Sequence, residues 1–100
     1  MNLEIVDAPE AERYEARLDG ELVGVLEYKL RRSRIALIHT EVAAGHEGRG
    51  FAARIARFAL GDARQRGLGV IPTCPYVLAY LERHPEERDV VRGRAAGAGS

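Results

Sequence analysis

The chain is organised around a glycine-rich segment, residues 45–50, that separates a β-strand pattern from a helical pattern. Gly45, Gly48 and Gly50 lie in this segment, and glycine allows positive φ and a close approach of the backbone to a ligand. The residues that follow, 50–66, have the apolar spacing of an amphipathic helix. Free N–H groups and the positive dipole end at a helix start bind anions. Because the first turns of this helix contain no Asp or Glu, the segment predicts a phosphate-binding turn.

Two common phosphate motifs do not describe this turn. A Walker A loop ends in Gly-Lys-Ser/Thr, and no lysine follows Lys29. The dinucleotide fingerprint G-x-G-x-x-G would start at Gly48 and Gly50, but Ala53 occupies the place of its third glycine. A dinucleotide domain also begins with the strand before its glycines, whereas strand patterns fill the whole chain before this turn. The turn therefore belongs to another class of phosphate site.

Residues 2–42 predict a meander of antiparallel strands. Apolar and polar side chains alternate, with the period of half-exposed strands. Asp19-Gly20 is a strong signal for a two-residue hairpin turn, and Gly24 indicates a bulge or a close backbone approach. The connections are too short for parallel crossovers. The predicted strands are 2–8, Arg13–Leu18, Glu21–Leu30 and Arg34–Val42.

The last strand of this meander carries two titratable side chains. Regular alternation along it places Ile35, Leu37, His39 and Glu41 on one face. Residues two apart lie about 6.6 Å apart along a strand. His39 and Glu41 are therefore neighbouring candidates for proton transfer.

The second half of the chain predicts a strand-helix-strand unit and a further helix. Gly67 is the expected C-cap of the helix 50–66. The strand Leu68–Pro72 should lie parallel to the last meander strand, because strand-helix-strand connections are right-handed crossovers. Pro75 opens a second helix that runs to Arg83. The predicted buried stripe of the first helix is Ala52, Ile55, Ala56, Ala59 and Ala63.

This order of elements predicts an α+β fold in a single domain, residues 1–91, followed by a disordered Gly-rich and Ala-rich tail, 92–100. Fifteen basic residues balance fifteen acidic ones, which argues against nucleic-acid binding. One cysteine cannot form an internal disulfide, so we expect a reducing, cytoplasmic location. We expect neither a signal peptide nor a membrane span, and the His and Cys residues lack a zinc-ligand spacing. We expect no metal.

The turn resembles the acetyl-CoA pyrophosphate loop of the GNAT superfamily of N-acetyltransferases, Gln/Arg-x-x-Gly-x-Gly/Ala. It reads Glu47-Gly48-Arg49-Gly50-Phe51-Ala52, with Glu47 in the place of Gln or Arg. An acid there would repel a pyrophosphate, so we expect Glu47 to turn outward. The residues 39–42, 72–81 and 83–85 extend the resemblance to the branch of short, single-domain GNAT proteins. The resemblance covers about residues 12–91. The chain lacks the two helices that usually form the acceptor-binding wall of a full GNAT domain.

This resemblance implies that acetyl-CoA lies where the strand 34–42 splays from the strand 68–72. Backbone groups of Val42, Ala43 and Ala44 would pair with the pantetheine arm. The pyrophosphate would lie on N–H groups of Gly48, Arg49, Gly50, Phe51 and Ala52. Cys74 and Tyr76 would line the pocket.

Four side chains are candidates for the chemistry. Amine acetylation needs a base, and His39 or Glu41 would serve, although the two could instead form a structural pair. Cys74 would be an acetyl-accepting thiol at a helix N-terminus, or a thiol that only lines the pocket. The resemblance implies that Tyr80 protonates the CoA thiolate; Tyr76 is the substitute, and core packing is the alternative for Tyr80.

The sequence thus predicts an N-acetyltransferase that transfers an acetyl group from acetyl-CoA to an amine of a small molecule or a protein. A non-catalytic module that binds CoA or acyl-CoA is one alternative. A small protein-interaction domain is another. We expect a monomer or a weak homodimer, and neither a nucleic-acid nor a membrane partner.

Overall fold

The computed structural model describes residues 2–92. It contains a sheet with helices packed on it, and the predicted α+β fold is confirmed. The 3-10 helices are Pro9–Ala11 and Pro85–Val90. The strands and α-helices are β1 (Leu3–Ala8), β2 (Arg13–Leu18), β3 (Glu21–Arg31), β4 (Arg34–Val42), α1 (Phe51–Arg66), β5 (Gly69–Pro72) and α2 (Pro75–Arg83).

The strands lie in the order β1-β2-β3-β4-β5, so neighbours in the sequence are neighbours in the sheet. The first four form the predicted antiparallel meander, and β5 pairs parallel to β4 through the crossover helix α1. The β2–β3 turn has φ values of 50° at Asp19 and 90° at Gly20, the conformation that Asp-Gly favours in two-residue hairpins. The predicted hairpin is therefore confirmed.

One hydrophobic core joins the sheet to both α-helices. Tyr14, Leu26 and Leu37 from the sheet are fully buried in it, as are Ile55 from α1 and Val77 from α2. The predicted stripe of α1 is confirmed for Ile55, Ala56, Ala59 and Ala63, which are buried. Ala52 is only half-buried, and the fully buried Leu60 was not predicted.

Gly24 explains how closely α1 approaches the sheet. A Cβ at this position would lie 2.9 Å from Cδ1 of Ile55. The pairing of β2 with β3 also shifts register between Ala16 and Arg17. Both features that Gly24 predicted, a bulge and a close approach, are present.

A second bulge in β4 changes which side chains share a face. Tyr28 pairs with Leu37, whereas Glu27 pairs with His39, so Ile38 has no partner in β3. The extra residue reverses the alternation. Ile35 and Leu37 are buried against the helices, while His39 and Glu41 lie on the opposite, exposed face. The prediction that all four share one face was wrong.

The end of the described chain returns to the sheet. After α2, the 3-10 helix Pro85–Val90 leads to Val91, which forms a bridge with Val70 of β5. The N–H of Arg92 donates to the carbonyl of Val70. The tail predicted at 92–100 lies outside the described residues except for Arg92.

Candidate functional site

Strands β4 and β5 separate at Leu37. They are paired over Arg34–Leu37 only, because β5 ends at Pro72. The carbonyl of Leu37 then accepts the backbone N–H groups of Thr73 and Cys74, at 3.0 and 2.9 Å, and the hydroxyl of Thr73 at 2.9 Å. The chain thus turns away from β4 into α2, and residues 38–42 continue beside β3 alone.

The second half of β4 consequently has a backbone edge that β5 does not cover. The N–H of Ala43 donates to the carbonyl of Val23, toward β3. Backbone groups of successive strand residues point to opposite sides. Val42 and Thr40 therefore direct their N–H and C=O groups toward the cleft where β5 has ended. An extended ligand with amide groups could pair with this edge, as an added strand would.

The turn between β4 and α1 has the backbone that the glycines predicted. The φ values are 89° at Gly45, 78° at Gly48 and 80° at Gly50, and a Cβ at any of the three would meet no atom within 4 Å. Gly50 is the N-cap of α1, where no side chain forms a capping hydrogen bond and no acidic residue lies in the first turn. The helix start therefore keeps donors and open space for an anion.

Side chains of the turn contact one another and Phe51, the first residue of α1. Oε1 of Glu47 accepts the N–H of Gly45 at 2.9 Å. A nitrogen of the Arg49 guanidinium lies 3.1 Å from Nδ1 of His46, and its carbon lies 5.3 Å from the centre of the Phe51 ring. The Glu47 carboxylate is thus held at the beginning of the turn, before the Gly48–Ala52 donors.

His39 and Glu41 lie together on the exposed face of β4. Nε2 of His39 is 3.5 Å from Oε1 of Glu41, and their side chains are 53% and 70% exposed. The bulge at Ile38 brings the pair to the face opposite α1 and α2. Both side chains are reachable from solvent beside the cleft, which a base acting on an incoming amine requires.

The opposite face of the same segment carries Thr40 and Cys74. Oγ1 of Thr40 lies 3.1 Å from Sγ of Cys74, and Cys74 is 2% exposed. Cys74 precedes α2 as its N-cap. The structure therefore separates Cys74 from His39 and Glu41 by the sheet itself. Sequence reasoning missed Thr40; its position between His39 and Glu41, in a strand with a bulge, was the available signal.

Tyr80 lies in a groove between α1 and the 3-10 helix Pro85–Val90. Its ring centre is 4.3 Å from that of His84, and the cavity of about 510 Å³ that it lines also involves Arg57 and Arg64 but no residue of the glycine turn. Burial raises the pKa of Tyr80, and the nearby Glu87 adds to this, so the phenol keeps its proton. Tyr76 starts α2 beside Cys74 and is half-buried.

Comparison with known families identifies the chain. The family model described as GCN5-related N-acetyl-transferase matches residues 13–90. The chain belongs to this family. The matched range includes β4, the glycine turn, α1 and α2, so the resemblance seen in the sequence is confirmed. No curated protein shows a significant sequence match to this GNAT chain.

Solved structures support the fold assignment. A GCN5-like protein from Staphylococcus aureus assigned to the N-acetyltransferases, whose solution structure was determined by NMR, superposes with a TM-score of 0.70 at 22% identity. The superposition covers 92% of this chain and 90% of the Staphylococcus aureus protein. A ribosomal-protein-alanine N-acetyltransferase from Brucella melitensis biovar Abortus 2308 superposes with a TM-score of 0.53 at 19% identity over 81% of this chain. This GNAT chain spans 61% of the Brucella enzyme.

Metal-binding clusters and membrane-spanning helices are both absent from residues 2–92. No group of three or more His, Cys, Asp or Glu side chains in this range is arranged to hold a metal ion. No helix in the same range is both long and apolar enough to cross a membrane.

Proposed function

We propose that this chain is an N-acetyltransferase that transfers the acetyl group of acetyl-CoA to an amine. The observation that carries the proposal is the separation of β4 from β5 beside a glycine turn that opens α1. A peptide-like strand edge and an anion-binding helix start lie next to each other there. Acetyl-CoA combines an amide-containing arm with a pyrophosphate, and it supplies the acetyl thioester.

The residues of the cleft fit this donor. Gly48 and Gly50 have positive φ and open space around them, and the backbone N–H groups of Gly48 to Ala52 would form charge-assisted hydrogen bonds to phosphate oxygens. The edge at Val42, continued by Ala43 and Ala44, would hold the amide arm. Tyr76 and Cys74 would line the pocket from α2.

The exposed face of β4 would supply the base. The amine nitrogen must lose a proton as its bond to the carbonyl carbon forms and the carbon–sulfur bond breaks. His39 or Glu41 would accept that proton, directly or through water. Their position on the face away from the helices supports an approach of the amine from that side.

A second proton must reach the departing thiolate of CoA. Tyr80 is in a groove that contains none of the turn residues, so Tyr76, one helical turn earlier and beside Cys74, is the better-placed phenol for this role. Cys74 is buried against Thr40, which favours the role of lining the pocket over that of an acetyl acceptor. Direct attack of the amine on acetyl-CoA is therefore the proposed route.

The proposal is tested by the release of free CoA from acetyl-CoA with and without a panel of amines. The panel should include a polyamine, lysine methyl ester and a peptide with a free N-terminus. Release that depends on one amine, with the acetylated amine found by mass spectrometry, supports the enzyme. Binding of acetyl-CoA without release in any of these reactions contradicts it.

A non-catalytic module that binds CoA or acyl-CoA is the second candidate. It is favoured by the high exposure of His39 and Glu41, since the described chain provides no wall over them. This candidate predicts equal affinity for acetyl-CoA and for CoA, and no loss of acetyl-CoA over hours with any amine of the panel.

A further inference from the structure

The arginines of residues 2–92 fall into two groups. Those of the first group contact carboxylates, carbonyls or a ring: Arg13 and Arg17 hold Glu15, and Arg64 holds Glu87 and Asp89. Those of the second group form no side-chain hydrogen bond or ion pair within the described chain. The second group consists of Arg31, Arg32, Arg34, Arg54, Arg57 and Arg83.

Half of this second group lies in one turn, between β3 and β4. Arg31 and Arg34 are directly opposite each other across the hairpin, where like charges repel. Together with Leu30, Arg32 and Ser33 they line an open groove of about 600 Å³, and no carboxylate lines it. Leu30 is 42% exposed. We call this surface the basic hairpin, residues 30–34.

The backbone of the basic hairpin is strained at one of its arginines. Arg32 has a φ of 48°, a conformation that glycine, asparagine and aspartate adopt more readily than a long side chain does. The β2–β3 hairpin has Asp19-Gly20 in the equivalent turn. The chain thus has an unfavourable residue at Arg32, and within residues 2–92 no contact of its side chain compensates for it.

We propose that the basic hairpin docks an acidic polypeptide segment of a partner protein, with an apolar side chain of that segment against Leu30. Guanidinium groups bind carboxylates through paired hydrogen bonds, and three of them converge here without a carboxylate of their own. A single-stranded nucleic acid would also be attracted, but it stacks its bases on aromatic rings, and none lines this groove.

This surface is separate from the acetyl-CoA cleft. Arg34 begins β4 and Val42 ends it, so the basic hairpin and the glycine turn lie at opposite ends of the strand, about 26 Å apart at roughly 3.3 Å per residue. The docking proposal therefore does not depend on the proposed acetyl transfer.

The test uses fluorescence anisotropy with the full chain. The probe is a fluorescein-labelled peptide, Glu-Glu-Leu-Glu-Glu-Leu-Glu-Glu. A peptide in which every Glu is replaced by Gln serves as the uncharged control. A labelled oligothymidylate represents single-stranded nucleic acid. We expect the acidic peptide to bind, the Gln peptide not to bind, and affinity to fall as salt rises. The double variant Arg31→Gln/Arg34→Gln should weaken binding at least tenfold.

A matched variant separates a local site from general attraction. Arg54→Gln/Arg57→Gln removes the same charge from unpartnered arginines on α1 and should leave the affinity unchanged. Arg32→Gly should weaken binding several-fold while raising the melting temperature by a few degrees, because the strain is relieved. The proposal is overturned by an equal loss of affinity in both double variants, by no binding up to millimolar peptide, or by binding of the oligothymidylate alone.

Discussion

The two halves of strand β4 have the same backbone direction and opposite surroundings. Residues Arg34–Leu37 lie between β3 and β5, and their apolar side chains Ile35 and Leu37 are fully buried. Beyond the bulge, His39 to Val42 pair with β3 only, and His39 and Glu41 are exposed. The bulge at Ile38 is the boundary. One half of the strand builds the core, and the other half leaves backbone and side chains available to a ligand.

Substitutions at neighbouring residues on the two sides of the bulge should therefore have different effects. A change in the paired half should affect the free energy of unfolding, whereas a change in the free half should affect binding or turnover.

Loss of the base should reduce turnover without destabilising the chain. Either His39→Ala or Glu41→Gln should lower kcat by about 100-fold to 10,000-fold, the usual contribution of a general base. Both side chains are more than half exposed, so the free energy of unfolding should stay within about 0.5 kcal/mol of the parent. The check is kcat and a urea titration on the same samples. If neither change lowers kcat, the base lies elsewhere.

Adjacent residues on the two sides of the boundary should respond differently to truncation. Leu37→Ala should cost about 2–5 kcal/mol of unfolding free energy, because Leu37 is fully buried and its loss leaves a cavity. Ile38→Ala should cost less than about 1 kcal/mol, since Ile38 is 37% exposed. Urea denaturation measures both. Similar losses at the two positions would contradict the boundary at the bulge.

A β-branched side chain at Gly50 should strain the glycine turn and weaken the acetyl-CoA complex. Gly50→Val should weaken acetyl-CoA binding by about 100-fold, or roughly 2.7 kcal/mol, because a β-branched residue resists its φ of 80° and shifts the helix start. Gly67→Val is the matched control, since Gly67 has a φ of 69° at the other end of α1. Titration calorimetry with acetyl-CoA compares them. Equal loss of affinity in both variants would argue against a site at the turn.

The paired half should be sensitive to alkaline pH through Tyr28, which pairs with Leu37, and through Tyr14, whose ring centre lies 5.1 Å from that of Tyr28. Burial, with help from Asp62 and Asp7, raises the pKa of Tyr14 and of Tyr28 above the ordinary value of 10.0. The unfolded chain loses these protons first, so the stabilisation is complete below pH 10 and declines above it. The slope approaches about 1.4 kcal/mol per pH unit for each tyrosine.

Unfolding free energies measured between pH 9 and pH 11.5 test this prediction. The double variant Tyr14→Phe/Tyr28→Phe should have a flatter profile than the parent, and Tyr76→Phe, at a half-buried position, serves as a control. An unchanged slope in the double variant would show that other groups control alkaline stability.

Local patterns were sufficient to predict most of the fold. The Asp19-Gly20 turn, the glycine turn and Gly67 each require a backbone conformation that few residues adopt, and the structure has positive φ at all of them. Gly24 indicated the close approach of α1 because a side chain there would collide with Ile55. These predictions succeeded because the physical cause lies in the residue itself.

The bulge in β4 could not be predicted in this way. Alternation along 34–42 is regular in the sequence, and the bulge exists because the register on β3 differs on its two sides. That register depends on pairing with residues far along the chain. The contact of Thr40 with Cys74 and the return of Val91 to β5 depend on tertiary packing in the same way. The sequence therefore named His39 and Glu41 but placed them on the wrong face.

The central claim is that the free half of β4 and the glycine turn form an acetyl-CoA site, and a thermal shift tests it most directly. Acetyl-CoA at about 100 times its dissociation constant adds roughly 2.7 kcal/mol of stability, a rise on the order of 10 °C for a domain of this length. We predict a saturable rise for the parent chain and for Gly67→Val, and little or none for Gly50→Val at the same concentration. No rise at millimolar acetyl-CoA in the parent chain would contradict the claim.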